Sequence, residues 1–210
     1  MNDWYWLGDQ ALGWKPKSIP PDEFWTVSQS ALEYFIQRPP KGIREIVPGF
    51  QSLTFLLHNQ VLPSKALSQL VQDWLEEVPR LPNNGSTKVI EIPVHYNGPD
   101  LAEVARLTNL SVPDVIRLHS APLYRVHFLG FLPGFPYLGG MDPKLFCPRR
   151  SIPRRLVPAG TVGIGGMQTG VYPQDSPGGW QWIGQTPLSL FSRQTGPLLA
   201  LGDAVQFVPL

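Results

Sequence analysis

Between His127 and Pro187 the chain carries 12 glycines and 9 prolines in 61 positions. That is about a third of the segment, where proteins average ~12% for the two together. Density of this kind usually marks disorder, yet here large apolar side chains run through it. Phe128, Leu129, Phe131, Leu132, Phe135, Tyr137 and Leu138 fall within its first 12 residues. Ordering a backbone costs ~1–2 kcal/mol per residue, and burying one large apolar side chain returns ~1.5–3 kcal/mol. Proline lowers the entropy of the unfolded chain and reduces that cost. The segment therefore reads as an ordered set of short strands and tight turns that frames a site.

The rest of the chain sets the context. Its 210 residues allow one large domain or two small ones. Hydrophobic residues make up 42% and charged residues 16%, enough to bury a core. A net charge of +1 gives no global electrostatic case for nucleic acid or an anionic membrane. Cys147 is the only cysteine, which excludes an intrachain disulfide and a thiolate metal site. The first residues, Met1-Asn-Asp-Trp-Tyr-Trp6, lack the basic and apolar regions of a secretory signal. No window reaches ~18 uninterrupted apolar residues. The expectation is a soluble cytoplasmic protein.

Residues 1–97 alternate between the two periodicities. A strand is expected over Gly8–Trp14. A helix follows over Pro21–Gln37, capped by Asp22, with Phe24, Val27, Ala31, Leu32 and Phe35 on one face. Ile43–Pro48 and Ser52–His58 read as a hairpin. Ser64 opens a helix to Glu77 with Leu67, Leu70, Val71, Trp74 and Leu75 inward. Arg80–Ser86 reads as a loop and Lys88–Tyr96 as a closing strand. The order β-α-β-β-α-β is the ferredoxin-like pattern, which identifies no function. Residues 98–210 enter through two short helices, Asp100–Thr108 and Ser111–His119, the second with a capping-box-like start from Ser111 to Asp114. Beyond Tyr124 short apolar runs alternate with Gly/Pro turns, the signature of a β-barrel or compact sandwich. The fold class expected is α+β. The two helices imitate a helix-turn-helix, but Val112, Pro113 and Asp114 stand where a recognition helix needs exposed donors.

Three submotifs stand out: His127-Phe-Leu-Gly-Phe-Leu-Pro-Gly-Phe-Pro-Tyr-Leu-Gly-Gly140, Pro153-Arg-Arg-Leu-Val-Pro-Ala-Gly160, and Gly163-Ile-Gly-Gly-Met-Gln-Thr-Gly-Val-Tyr-Pro173 with its continuation to Pro187. With Gly98-Pro-Asp-Leu101, Gly8-Asp-Gln-Ala-Leu12 and Ile43-Arg-Glu-Ile-Val-Pro-Gly-Phe50, they resemble the B subunit of bacterial ATP-dependent 5-oxoprolinase. That family also takes in the small protein once called allophanate hydrolase subunit 1 and an inhibitor of a sporulation histidine kinase. The resemblance implies a cyclophilin-like β-barrel over 98–210 behind a small α/β domain. It implies opening of the cyclic amide 5-oxo-L-proline to L-glutamate with ATP, whose Mg²⁺ would arrive with the nucleotide. It also implies partners, the C and A subunits of 5-oxoprolinase, without which the B subunit is inactive. The alternative within the same family is a regulatory protein that inhibits a sensor histidine kinase through the barrel groove.

The residues offer candidates for such a site. His127 is either a core histidine or a polar group at the barrel mouth. Arg149, Arg150, Arg154 and Arg155 form a basic loop suited to carboxylate or phosphate, where the guanidinium fork binds two oxygens. Arg154 ranks first, in the family's Pro-Arg pattern. Gly163–Gly170 is not a P-loop, but Gly165 and Gly166 allow close backbone approach and an anion nest. Gln168 and Thr169 add side-chain donors, and Tyr172 a hydroxyl and a ring. His127, Arg154 and Gln168 are the expected catalytic groups; Gly165, Gly166, Thr169 and Tyr172 are the expected substrate- or nucleotide-binding groups. His119 reads as a helix C-cap, Trp180 as core or interface, and Cys147 as an incidental thiol. No His/Asp/Glu set has metal-ligand spacing.

Overall fold

A computed structural model describes residues 3–58, 64–78 and 88–210. The chain forms two compact units, residues 1–86 and 87–210. The α+β class expected from the sequence is present.

In the first unit the elements are β1 (Trp4–Trp6), β2 (Ala11–Trp14), α1 (Pro21–Gln37), β3 (Ile43–Gly49), β4 (Ser52–Leu57) and α2 (Ser64–Glu77). The antiparallel sheet runs β1-β2-β4-β3. β4 alternates inward Leu53, Phe55 and Leu57 with half-buried residues, as a strand buried on one face must. Phe24, Val27 and Ala31 of α1 and Leu67, Val71, Trp74 and Leu75 of α2 complete this core. α1 starts at Pro21 behind Pro20. Proline suits a first turn whose N–H groups lack helical partners anyway. The side chains of Asp22 and Ser64 and the loop Arg80–Ser86 lie outside the described residues.

The second unit holds β5 (Val89–Val94), α3 (Leu101–Thr108), α4 (Val112–Ser120), β6 (Tyr124–Leu129), β7 (Pro136–Gly139), β8 (Arg154–Val157), β9 (Thr161–Gly165), β10 (Gln168–Val171), β11 (Ser176–Gly178), β12 (Gln181–Gln185), β13 (Phe191–Ser192), β14 (Gly196–Pro197) and β15 (Ala204–Pro209). Seven strands follow the order β12-β9-β10-β7-β6-β15-β5. The ring closes where His95, just past β5, bridges Gln185 at the end of β12 with two backbone hydrogen bonds of 2.9 Å. Inside lie Ile92, Val126, Leu138, Ile164, Ile183 and Phe207, each at most 1% exposed.

One strand sits elsewhere than expected. Val89–Val94 does not close the first sheet. It pairs in parallel with β15 over six residues, so the units part near residue 86 rather than 97. Its alternation puts Ile90, Ile92 and Val94 inward, which suits either sheet; only the partner decides. The place beside β2 is taken by β1. Of the apolar runs expected beyond Tyr124, Leu188–Phe191 contributes only Phe191 to a strand, the start of β13. Ser111 does cap α4, accepting the Asp114 amide at 3.2 Å.

Candidate functional site

The turn into α3 is fastened by one carboxylate. Asp100 is 3% exposed and accepts hydrogen bonds from both terminal nitrogens of Arg154 at 2.7 Å, from Arg150 at 2.9 Å, and from the Trp182 amide at 2.8 Å. Burial alone would raise its pKa; the hydrogen bonds of Arg154 and of the Trp182 amide, with the charges of Arg154 and Arg150, outweigh it and hold the carboxyl below its ordinary range. Gly98 lets this turn lie against β12, since a Cβ there would stand 2.3 Å from the Trp182 carbonyl oxygen. Both terminal nitrogens of Arg154, expected to meet an outside anion, are thus engaged by Asp100 within the chain.

A second polar array lies inside the barrel. His119 is fully buried. Its Nδ1 is 2.7 Å from the Tyr96 hydroxyl and its Nε2 is 2.8 Å from Thr169 Oγ1. Thr169 spends its own hydrogen on the Gly163 carbonyl at 2.9 Å, so it accepts from Nε2–H, and Tyr96 donates to Nδ1. The assignment fixes a neutral imidazole. Burial drives the His119 pKa down to about 3 and that of Tyr96 far up. His119 is therefore a core residue and not a helix cap, and Thr169 faces the core instead of a ligand.

The outer face of the same strands is paved with glycine. Val126, Leu138, Thr169 and Ile164 form a row across β6, β7, β10 and β9 and point inward. Their neighbours Gly139, Gln168 and Gly165 therefore point outward. A Cβ on Gly139 would meet the His127 ring at 2.1 Å, one on Gly165 the Trp180 indole at 2.6 Å, and one on Gly170 the Phe135 ring at 3.1 Å. The glycines let rings lie flat on the sheet. Phe135, Tyr172 and Trp180 build a small second core there with Val157 of the β8–β11 ribbon, and Tyr137 packs against it. Tyr172 is 2% exposed; burial raises its pKa, partly offset by a hydrogen bond with the Trp180 backbone. It belongs to this core.

Gln168 lies among these rings. It is 8% exposed, and its amide nitrogen Nε2 has no hydrogen-bond partner. Gly165, under the Trp180 indole, is its cross-strand neighbour on one side. On the other side β7 carries Gly139 under the His127 ring. His127 is 8% exposed. A buried donor left unmade costs about 1–3 kcal/mol, so such a group needs a reason. Its two N–H groups suit a carbonyl oxygen or an anion. The Gly163–Gly170 hairpin itself does not form a nest. Gly166, at φ +66°, turns the chain between β9 and β10, and its N–H donates to the Cys147 carbonyl at 2.9 Å. Cys147 is buried; burial first, and the Asp100 charge second, push its thiol up to about 11.

The structure thus brings His127, Gln168 and Gly165 onto one face, places Tyr172 beneath it, and turns Thr169 and Arg154 to other partners. Asp100 carried a legible signal, an Asp before an apolar helix in Gly98-Pro-Asp-Leu101, but its arginine partners lie 50 and 54 positions on. Nothing in sequence announced that His119 would meet Thr169.

A family model described as "Carboxyltransferase domain, subdomain C and D" matches residues 4–201. The chain is 41% identical over 217 residues to the B subunit of 5-oxoprolinase from Bacillus subtilis, covering 96% of this chain and 90% of that one. It is 52% identical over 174 residues to the B subunit of 5-oxoprolinase from Escherichia coli O157:H7, covering 80% and 78%. Among solved structures, TTHA0988 aligns with a TM-score of 0.78 at 36% identity over 96% of this chain; the chain spans only 40% of that protein. The urea amidolyase of K. lactis aligns at 0.82 over 99% of this chain and 15% of that one; at 20% identity it speaks for the fold alone.

Proposed function

This chain belongs to the carboxyltransferase-domain family, subdomains C and D, and from that premise we propose that it is the B subunit of an ATP-dependent 5-oxoprolinase, a cyclic amide hydrolase built with C and A subunits. Relatives named as the B subunit of 5-oxoprolinase, matched over most of their length, support the family-level reading. The observation that carries the site is Gln168, a buried amide with an unused donor between His127 and Trp180.

The reaction consumes 5-oxo-L-proline, ATP and two waters and yields L-glutamate, ADP and phosphate. The lactam is a resonance-stabilised amide, and negative charge develops on its oxygen as the carbonyl is attacked. In this reading Gln168 Nε2 donates a hydrogen bond to that oxygen, and the rings of His127 and Trp180 wall the lactam. The hairpin Gly163–Gly170 does not fit phosphates, because the Gly166 amide is taken and Gly165 seats an indole. ATP is therefore assigned to the assembled complex and not to this hairpin.

The test combines purified B, C and A subunits with 5-oxoproline and ATP. Glutamate and ADP are expected only from the full mixture. Gln168→Ala should preserve assembly and lower kcat about 10²–10³-fold, the usual loss for one such donor. Full activity in that variant removes Gln168 from the site. Phe131, Phe146 and Met167 each expose more than half of their surface on this unit, which favours a second, protein-binding reading. Absence of turnover together with tight binding to a kinase dimerisation helix would establish it instead.

A further inference from the structure

Four arginines crowd residues 149–155, and the structure separates their tasks. Arg150 and Arg154 share the single carboxylate of Asp100, which leaves an excess positive charge. Arg155, next to Arg154 along β8, points to the other face of the strand. Arg149 is exposed, and among the described residues no carboxylate lies within ion-pair distance of it. Its guanidinium carbon stands 5.8 Å from the Trp180 ring. Trp180 covers Gly165, the cross-strand neighbour of Gln168. Tyr137 lies 5.6 Å from the same indole. An exposed cation and an unused, nine-tenths-buried amide donor therefore flank one aromatic surface.

Building on the 5-oxoprolinase reading, we infer that Arg149 is the specificity-determining residue that captures the substrate's carboxylate while Gln168 takes the carbonyl of its ring. The ligand class that fits is a small five- or six-membered lactam or imide with a carboxylate on the ring. Bond lengths set the separation of lactam oxygen and carboxylate at about 5 Å, and a hydrogen bond adds roughly 3 Å at each end. Neighbouring strands bring Gln168 and the Gly165 position within about 5 Å, and the indole bridges from there to Arg149. The methylene edge of the ring would lie on Trp180. Arg149 also acts at a distance on the phenols of Tyr137 and Tyr172, whose raised pKa values, due first to burial, it moderates. The cation thus faces the same aromatic group that surrounds Gln168.

The experiment uses the assembled complex with Arg149→Gln and Arg149→Lys. The glutamine variant should raise KM for 5-oxoproline about 10- to 100-fold, the range for a charge-assisted hydrogen bond, and change kcat less than about 3-fold. Lysine should restore part of the KM, since it keeps the charge and loses the fork. For 2-pyrrolidinone, the same lactam without the carboxylate, competition against 5-oxoproline should weaken much less in the glutamine variant. An unchanged KM, or loss of complex formation in Arg149→Gln, overturns the assignment while wild-type turnover leaves the hydrolase reading intact. A wild-type complex that forms no glutamate removes the hydrolase reading and this inference with it.

Discussion

Replacing Asp100 with asparagine tests the most connected polar residue of the barrel unit. Asparagine keeps the shape and one acceptor for the Trp182 amide. It removes the charge that neutralises Arg150 and Arg154 and turns an NH₂ donor toward a guanidinium donor. Breaking a buried ion pair from one side costs about 3–5 kcal/mol. Here water reaches the arginine side chains, 35% and 21% exposed, while the carboxylate is 4% exposed. That screening brings the expected cost to about 2–4 kcal/mol. For a unit of this size 1 kcal/mol shifts the midpoint by roughly 4 °C, so calorimetry should record a fall of roughly 8–16 °C. Arg154→Met should cost less, because Asp100 keeps Arg150 and the amide. The double variant should be little worse than Asp100→Asn alone, since the two changes remove one interaction. The wild-type carboxyl is held below its ordinary pKa. Its contribution is therefore present above the usual carboxylate range and disappears as pH falls through the folded value, so the wild-type and Asn curves converge in acid. A midpoint within about 3 °C of wild type at neutral pH, or strict additivity in the double variant, would refute the reasoning.

His119 gives a second pH signature. Its folded pKa is lowered from 6.5 to about 3, so the unfolded chain binds the extra proton between those values. Stability is then full above pH 6.5 and declines as pH falls toward 3, which urea titrations at successive pH values will read. Tyr96→Phe strips the donor from Nδ1 and should lower stability by about 1–3 kcal/mol. On the outer face, Gly139→Ala should displace His127, and Gly165→Ala should displace the Trp180 indole. Each should cost about 1–3 kcal/mol through overpacking. Indole fluorescence and the midpoint of unfolding check the second, and complex turnover checks both.

Local signals in the chain identified most of the elements themselves. The apolar period placed α1 and α2, and the Ser111–Asp114 pair placed the start of α4, because caps and amphipathic faces depend on residues three or four apart. The interleaved aromatics announced that the Gly/Pro segment is ordered, and it is: the described strands β6 to β12 run through it. Partners were another matter. β5 alternates as any one-face strand does, and only assembly assigned it to β15 in place of the first sheet. Gly165 read as a nest, while the fold uses it to seat Trp180; Arg154 read as an anion trap, while the fold gives it to Asp100. His119 and Thr169 meet across 50 positions. Hydrogen bonds and ring contacts at such separations depend on which strands become neighbours, and no local pattern encodes that. The stretch from His127 to Pro187 was legible as ordered from its interleaved aromatics. Gln168 was already a candidate in the sequence; the proposal that sets Arg149 beside it rests on the tertiary structure, which bonds Arg154 to Asp100 and Thr169 to His119.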